Sequence, residues 1–168
     1  GYSSANIIKI KKILGVIAES VPFQPNISKI AERIHLGRNT LNIYLKNLHD
    51  AGILHLLSKP GKGITRLQKP DKIYFENPSF SFAFQNEPNI GTIREVFFIN
   101  QLRNSGHEIY LSPSKGDFLV NDQYLFEIGG KNKNSNQIKG LKNAFLAIDD
   151  IEHGFAETIP LWLFGFLY

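Results

Sequence analysis

No cysteine occurs among the 168 residues, which excludes a disulfide framework and any cysteine-based zinc site. A chain without thiols fits a reducing compartment, so a cytoplasmic location is the expectation. Methionine is also absent. A reading frame opens with one, so the chain is expected to be a fragment in which Gly1 is a cloning residue outside the fold. Long hydrophobic runs are missing: the most apolar stretch, Ile159 to Tyr168, is too short to cross a bilayer. There is no G-x-x-x-x-G-K-[ST], so no phosphate-cradling P-loop lies in this stretch. His35, His49 and His55 are scattered without metal-ligand spacing.

What is present is an ordinary globular apolar content, 42%, in a length that suits one medium domain or two small ones. The net charge of +4 conceals an asymmetry. Residues 1–75 carry 12 Lys and Arg against 4 Asp and Glu, whereas residues 76–168 carry 7 against 11. A basic half followed by an acidic half implies two units with different partners, and the basic one is the candidate for phosphate contact.

In the first half, Ile7, Ile10, Leu14 and Ile17 recur at helical spacing, predicting a helix from Ser3 to Glu19 that ends before Pro22 and Pro25. Asn26 or Ser28 opens a second helix through Ile34. A third runs from Arg38 to Asp50 with Leu41, Tyr44, Leu45 and Leu48 as its buried stripe, and Gly52 ends it. Strands at Ile53 to Leu57 and Lys72 to Phe75 flank a Gly- and Pro-containing loop. Three helices and a hairpin in this order predict a winged helix-turn-helix over residues 2–75. Arg38, Asn39, Asn42 and Lys46 lie off the apolar stripe of the third helix, and Arg and Asn suit guanine and adenine edges. Lys59, Lys62, Arg66 and Lys69 on the wing suit phosphates. A protein-docking role is the competing expectation for the same surface.

Residues 76–89, rich in Pro, Asn, Ser and Phe, read as a packed connector. Beyond it, residues 90–168 predict a helix from Ile90 to Asn104, strands at Glu108 to Ser112, Asp117 to Val120 and Tyr124 to Ile128, a helix from Gln137 to Asn143 and a strand at Phe145 to Ile148. That order is an α+β arrangement with a mixed sheet. The apolar end is expected to be a buried terminal helix, or else a contact surface for another chain. Glu95 shares a helical face with Phe98, Ile99 and Leu102, so it needs a partner: either the acids of the sheet or a base such as Lys142.

The stretch GDFLVNDQYLFEIGGKNK, Gly116 to Lys133, organises this half. A three-residue turn, Asn121-Asp122-Gln123, would pair Val120 with Tyr124 and set Asp117 opposite Glu127. Facing carboxylates require a cation, a proton or water between them; Mg²⁺ is the functional answer, and a solvated hairpin edge with two unrelated acids is the reading that spacing alone favours. Asp117 followed by Glu127 resembles the D-x(n)-E-x-K signature of the PD-(D/E)XK nucleases. The lysine position holds Gly129 instead, and Lys131 is the nearest lysine of the same strand parity.

Three stretches extend the resemblance: NISKIAERIHLGRNTLNIYLKNLHDAGIL, KIYFENPSF, and GDFLVNDQYLFEIGGKNK with the closing IPLWLFGFLY. Together they resemble the C-terminal region of a family of bacterial AAA+ ATPases. In that family a winged helix precedes a restriction-endonuclease-type α/β domain of unknown function. The resemblance implies that ATP binds in a separate ATPase part, that DNA or a protein meets the winged helix, and that the nuclease-like domain does not cut because Gly129 replaces the lysine. The alternative is a Mg²⁺-dependent DNA endonuclease in which Asp117 and Glu127 hold the metal, Glu95 completes the acidic set and Lys131 is a displaced lysine. A free-standing winged-helix regulator is a third possibility.

Overall fold

The computed structural model describes residues 4–19, 26–61 and 69–167. The chain is α+β and divides into two compact units. One runs to Pro88, less the segment Lys59–Gly61; that segment goes with the other unit, which begins at Asn89.

The first unit opens with α1 (Ser4–Ala18), α2 (Ile27–Arg33) and α3 (Arg38–Asp50). The Asn26 side chain caps α2 by accepting from the Lys29 amide at 3.1 Å. Leu41, Tyr44, Leu45 and Leu48 form the buried stripe of α3, as their spacing predicts. Gly52, at φ +67°, closes that helix in the left-handed region where a side chain would be strained. In α1 the buried face is Ile13, Leu14, Val16 and Ile17, whereas Ile7, expected in the stripe, is exposed. Strands β1 (Leu54–Leu57) and β2 (Lys72–Phe75) pair antiparallel, Leu54 opposite Phe75. Residues 76–88 belong to this unit. The Asn77 side chain caps a short helix, α4 (Pro78–Phe84), whose Phe80 and Phe84 rings lie 6.4 and 5.4 Å from the ring of Phe75.

The second unit is one helix, α5 (Ile90–Asn104), and a five-stranded mixed sheet. The strands are β3 (Ile109–Leu111), β4 (Phe118–Val120), β5 (Tyr124–Gly129), β6 (Ala144–Ile148) and β7 (Thr158–Pro160), in spatial order. The pairs β3–β4 and β4–β5 are antiparallel; β5–β6 and β6–β7 are parallel. Phe98 of α5 packs on one face of the sheet, its ring 5.7 Å from Phe118, 5.0 Å from Phe126 and 4.8 Å from Phe164. Side chains alternate along a strand, so Leu125 and Glu127 take the other face. There Leu125 packs with Ile138, Ala144, Leu146 and Ile148.

Two sequence expectations are corrected. Residues 137–143 do not form a helix: the β5–β6 connection holds only a 3-10 turn, Ser135–Gln137. Gly140 at φ +79° and Asn143 at φ +53° are incompatible with a continuous helix across that stretch. The apolar end is not one buried helix either. It is split into β7 and a 3-10 segment, Leu161–Phe166, that buries Leu161 and Phe164 and exposes Trp162 and Phe166. No helix among the described residues is long and apolar enough to cross a membrane.

Candidate active site on the second unit

The site starts from a turn. Asn121 and Asp122 both sit at φ +52°, and the Gln123 amide donates to the Val120 carbonyl at 3.1 Å. Asn and Asp tolerate this left-handed geometry, which matches the twist of a hairpin. The turn fixes the register as Val120 opposite Tyr124 and Phe118 opposite Phe126. Asp117 and Glu127 therefore end up beside one another, as the three-residue turn predicts. One Asp117 carboxylate oxygen, Oδ2, accepts from the Ile128 amide at 2.8 Å. Gly116, at φ +79°, admits the chain to β4; a Cβ there would lie 3.1 Å from the Leu125 side chain.

Glu127 is 1% exposed, the most buried acid described. Burial pushes its carboxyl above the ordinary range. A hydrogen bond from Lys133 pulls it down, the charge of Asp117 pushes it up, and the charge of Lys133 pulls it down again; the net direction is up. The lysine that reaches it is Lys133, not Lys131. Lys133 Nζ forms an ion pair with Glu127 Oε1, while Lys131 is exposed. The route runs over Gly129. A Cβ at position 129 would sit 2.5 Å from both Cβ and Cγ of Lys133. The aliphatic stem of Lys133 thus occupies the space a side chain at 129 would fill. A turn, Lys133 amide to Gly130 carbonyl at 2.8 Å, brings it there.

Gln137, on the 3-10 turn, is the second partner. With its amide nitrogen facing Glu127, the orientation that satisfies both amide atoms, it donates to Oε1 at 3.0 Å and Oε2 at 3.2 Å. Arg94 lies above the next glycine: a Cβ on Gly130 would meet its guanidinium at 2.9 Å. Arg94 is held by Asp149 at 2.9 Å and Asp150 at 3.3 Å. The adjacent glycines 129 and 130 are thus passages for two cationic side chains.

No protein-family model, curated protein or solved structure matches the chain.

Glu95 is half-buried on α5, the helix that covers the face opposite Glu127. Among the described residues no group of three or more His, Asp or Glu is gathered so as to hold a metal, so Glu95 does not complete an acidic triad with Asp117 and Glu127. In the first unit, Arg38 and Asn39 are exposed on α3. Asn42 is half-buried with its Oδ1 shielded from solvent, and Lys46 is ion-paired with Asp50 one turn on. Lys59 goes with the second unit and donates to the Pro113 carbonyl at 3.4 Å, while Lys69 is exposed. Lys62 and Arg66 lie outside the described residues. Lys133 and Gln137 are the site residues that sequence reasoning missed. The signal available for Lys133 was the run GGKNK itself, in which two glycines clear the way for a lysine to fold back.

Proposed function

We propose that the second unit is a nuclease-like, divalent-metal-dependent phosphodiesterase, and that the first unit is a winged helix that brings it to DNA. The observation that carries the reading is Lys133 seated on Glu127 through the space above Gly129. It restores an Asp, Glu and Lys set at a site whose linear motif lacks the lysine.

The residues fit a hard cation. Mg²⁺ accepts one or two carboxylates and keeps several waters, and the repulsion between Asp117 and Glu127 is what a cation would offset. Asp117 and Glu127 would hold it, and once bound it would supply an acidified water and charge stabilisation at the phosphate. The chain's own contribution is positioning. The Ile128 amide fixes the Asp117 carboxylate. The stem of Lys133 lies over Gly129 and its ammonium is paired with Glu127 Oε1, which sets it beside the two acids, where it would orient water and offset the phosphate charge. In the hydrolysis, water attacks phosphorus, the ester P–O bond breaks and a proton reaches the leaving oxygen.

A non-catalytic binding role for the same unit is favoured by one specific observation: both Glu127 oxygens already receive donors, from Lys133 and from Gln137. Incubation with supercoiled plasmid and Mg²⁺ or Mn²⁺ separates the two. Nicking that disappears in Asp117→Ala supports the phosphodiesterase, and its absence from the unaltered chain supports the binder. The chain as the C-terminal part of a bacterial AAA+ ATPase is the companion proposal and rests on the three stretches quoted above. Its test is the genomic reading frame upstream, where a P-loop motif supports it and an immediate stop codon contradicts it.

A further inference from the structure

We infer that Lys133 gates the Glu127 carboxylate: its ammonium holds the place of a cation there and gives it up when a divalent ion binds. The inference rests on the metal-site reading above and concerns how that site opens. The Glu127 side chain is 1% exposed, whereas that of Lys133 is 31% exposed. Gln137, the other donor to the carboxylate, is exposed as well. The acid thus meets almost no water, while two of the groups that touch it do. An ion arriving with its hydration shell has to displace a covering group before it reaches the acid. Gln137 is neutral and puts no charge in the way. Lys133 repels an incoming cation, and its ammonium already occupies Oε1, which also accepts from Gln137 at 3.0 Å.

Charge points the same way. The Asp117 and Glu127 carboxylates repel one another, and the Lys133 ammonium offsets part of their combined charge. A divalent cation feels the full attraction of the pair only after the lysine has withdrawn. The local structure allows that withdrawal. The Lys133 amide is tied to the Gly130 carbonyl at 2.8 Å in a tight turn, and residues 131, 132 and 134–137 around it are exposed. A lysine stem is long and flexible, so rotation about its own torsions lifts the ammonium off Glu127 towards solvent without moving the sheet. An opposite charge within about 4–6 Å changes a carboxylate's affinity for a proton by about 10-fold or more. A divalent cation carries twice the proton's charge in the same field. The donors that fill the Glu127 oxygens are, on this inference, the closed state of a metal site.

The experiment is Mn²⁺ binding to the whole chain at pH 8, read from the resonance of free Mn²⁺ and from calorimetry. Lys133→Met removes the charge and keeps an apolar stem of similar length; Lys133→Gln removes the charge and keeps a donor. Lys131→Met removes an equal charge from an exposed neighbour. The expected result is Mn²⁺ held at least about 10-fold more tightly by both Lys133 variants and with parent affinity by Lys131→Met. Uptake by the Lys133 variants alone, with none by the parent, supports the inference too. Binding by both Lys133 variants that is no tighter than the parent's overturns it and leaves the metal-site reading standing. Equal tightening in Lys131→Met also overturns it, because net charge rather than the ion pair would then be responsible. No Mn²⁺ uptake by the parent or any variant overturns the metal-site reading and this inference with it.

Discussion

Glu127 carries a carboxylate where water is almost excluded, and Lys133 is the partner that makes this tolerable. Truncating Lys133 to alanine leaves a buried acid short of its strongest donor, a loss of about 1–3 kcal/mol at neutral pH. The pH dependence has a definite sign. Burial holds the folded Glu127 carboxyl above its unfolded value, so the fold favours the protonated form; that contribution is present at acid pH and is lost as pH rises through the folded value. Removing Lys133 raises the value further. Urea unfolding of Lys133→Ala should therefore show a deficit that is largest near neutrality and shrinks on acidification; a deficit that grows towards acid pH would contradict this. Gly129→Ala should act on the same contact from below. Its Cβ would meet Lys133 at 2.5 Å, displacing the lysine and lowering cleavage by about 10²–10³-fold, measurable as a nicking rate. The pairing of Asp117 with Glu127 was legible in the sequence because a three-residue turn of Asn, Asp and Gln dictates register. Lys133 was not, because strand parity, the argument for Lys131, applies only while the strand continues, and the turn from Gly130 to Lys133 ends it.

Elements whose sequence carried one unambiguous period formed where expected. The third helix has both a complete apolar stripe and a terminating glycine, and the hairpin behind it has β2 at its predicted bounds. Where the two kinds of signal disagreed, backbone geometry won over apolar spacing. Gln137 to Asn143 holds helix-forming residues, yet Gly140 and Asn143 adopt left-handed conformations. The closing run looked like one apolar helix, but Pro160 marks the point where β7 gives way to a 3-10 segment. Its edge depends on a tight return. Phe155 and Thr158 exchange backbone bonds at 3.1 and 2.9 Å, and a Cβ on Gly154 would lie 2.5 Å from the Thr158 carbonyl oxygen. Gly154→Ala should disturb the β6–β7 pairing and lower the melting temperature by on the order of 5 °C. Trp162, whose indole donates to the Ile151 carbonyl at 3.1 Å, reports it by fluorescence; an unchanged melting curve would show that the return is not strained by a side chain there.

At the scale of the molecule, the two units differ in charge, though less than the halves of the sequence: the first, helical unit has 11 Lys and Arg against 6 Asp and Glu, and the second, built on a sheet, has 8 against 9. If the first unit is the DNA-contacting part, affinity for duplex DNA should fall steeply with salt. Arg38→Ala combined with Lys46→Ala should then flatten that slope by about two phosphate contacts, checked by fluorescence anisotropy at several ionic strengths. Lys46 must first leave Asp50, so Arg38→Ala alone should account for the larger share. Cleavage by the second unit depends on which lysine serves the paired acids. The direct measurement is the Mg²⁺-dependent nicking rate of supercoiled plasmid by the parent chain, Lys131→Ala and Lys133→Ala, side by side. The predicted result is a parent-like rate for Lys131→Ala and a fall of about 10²–10³-fold for Lys133→Ala. A parent chain that does not nick, or a loss that follows Lys131 while Lys133→Ala keeps the parent rate, would contradict it.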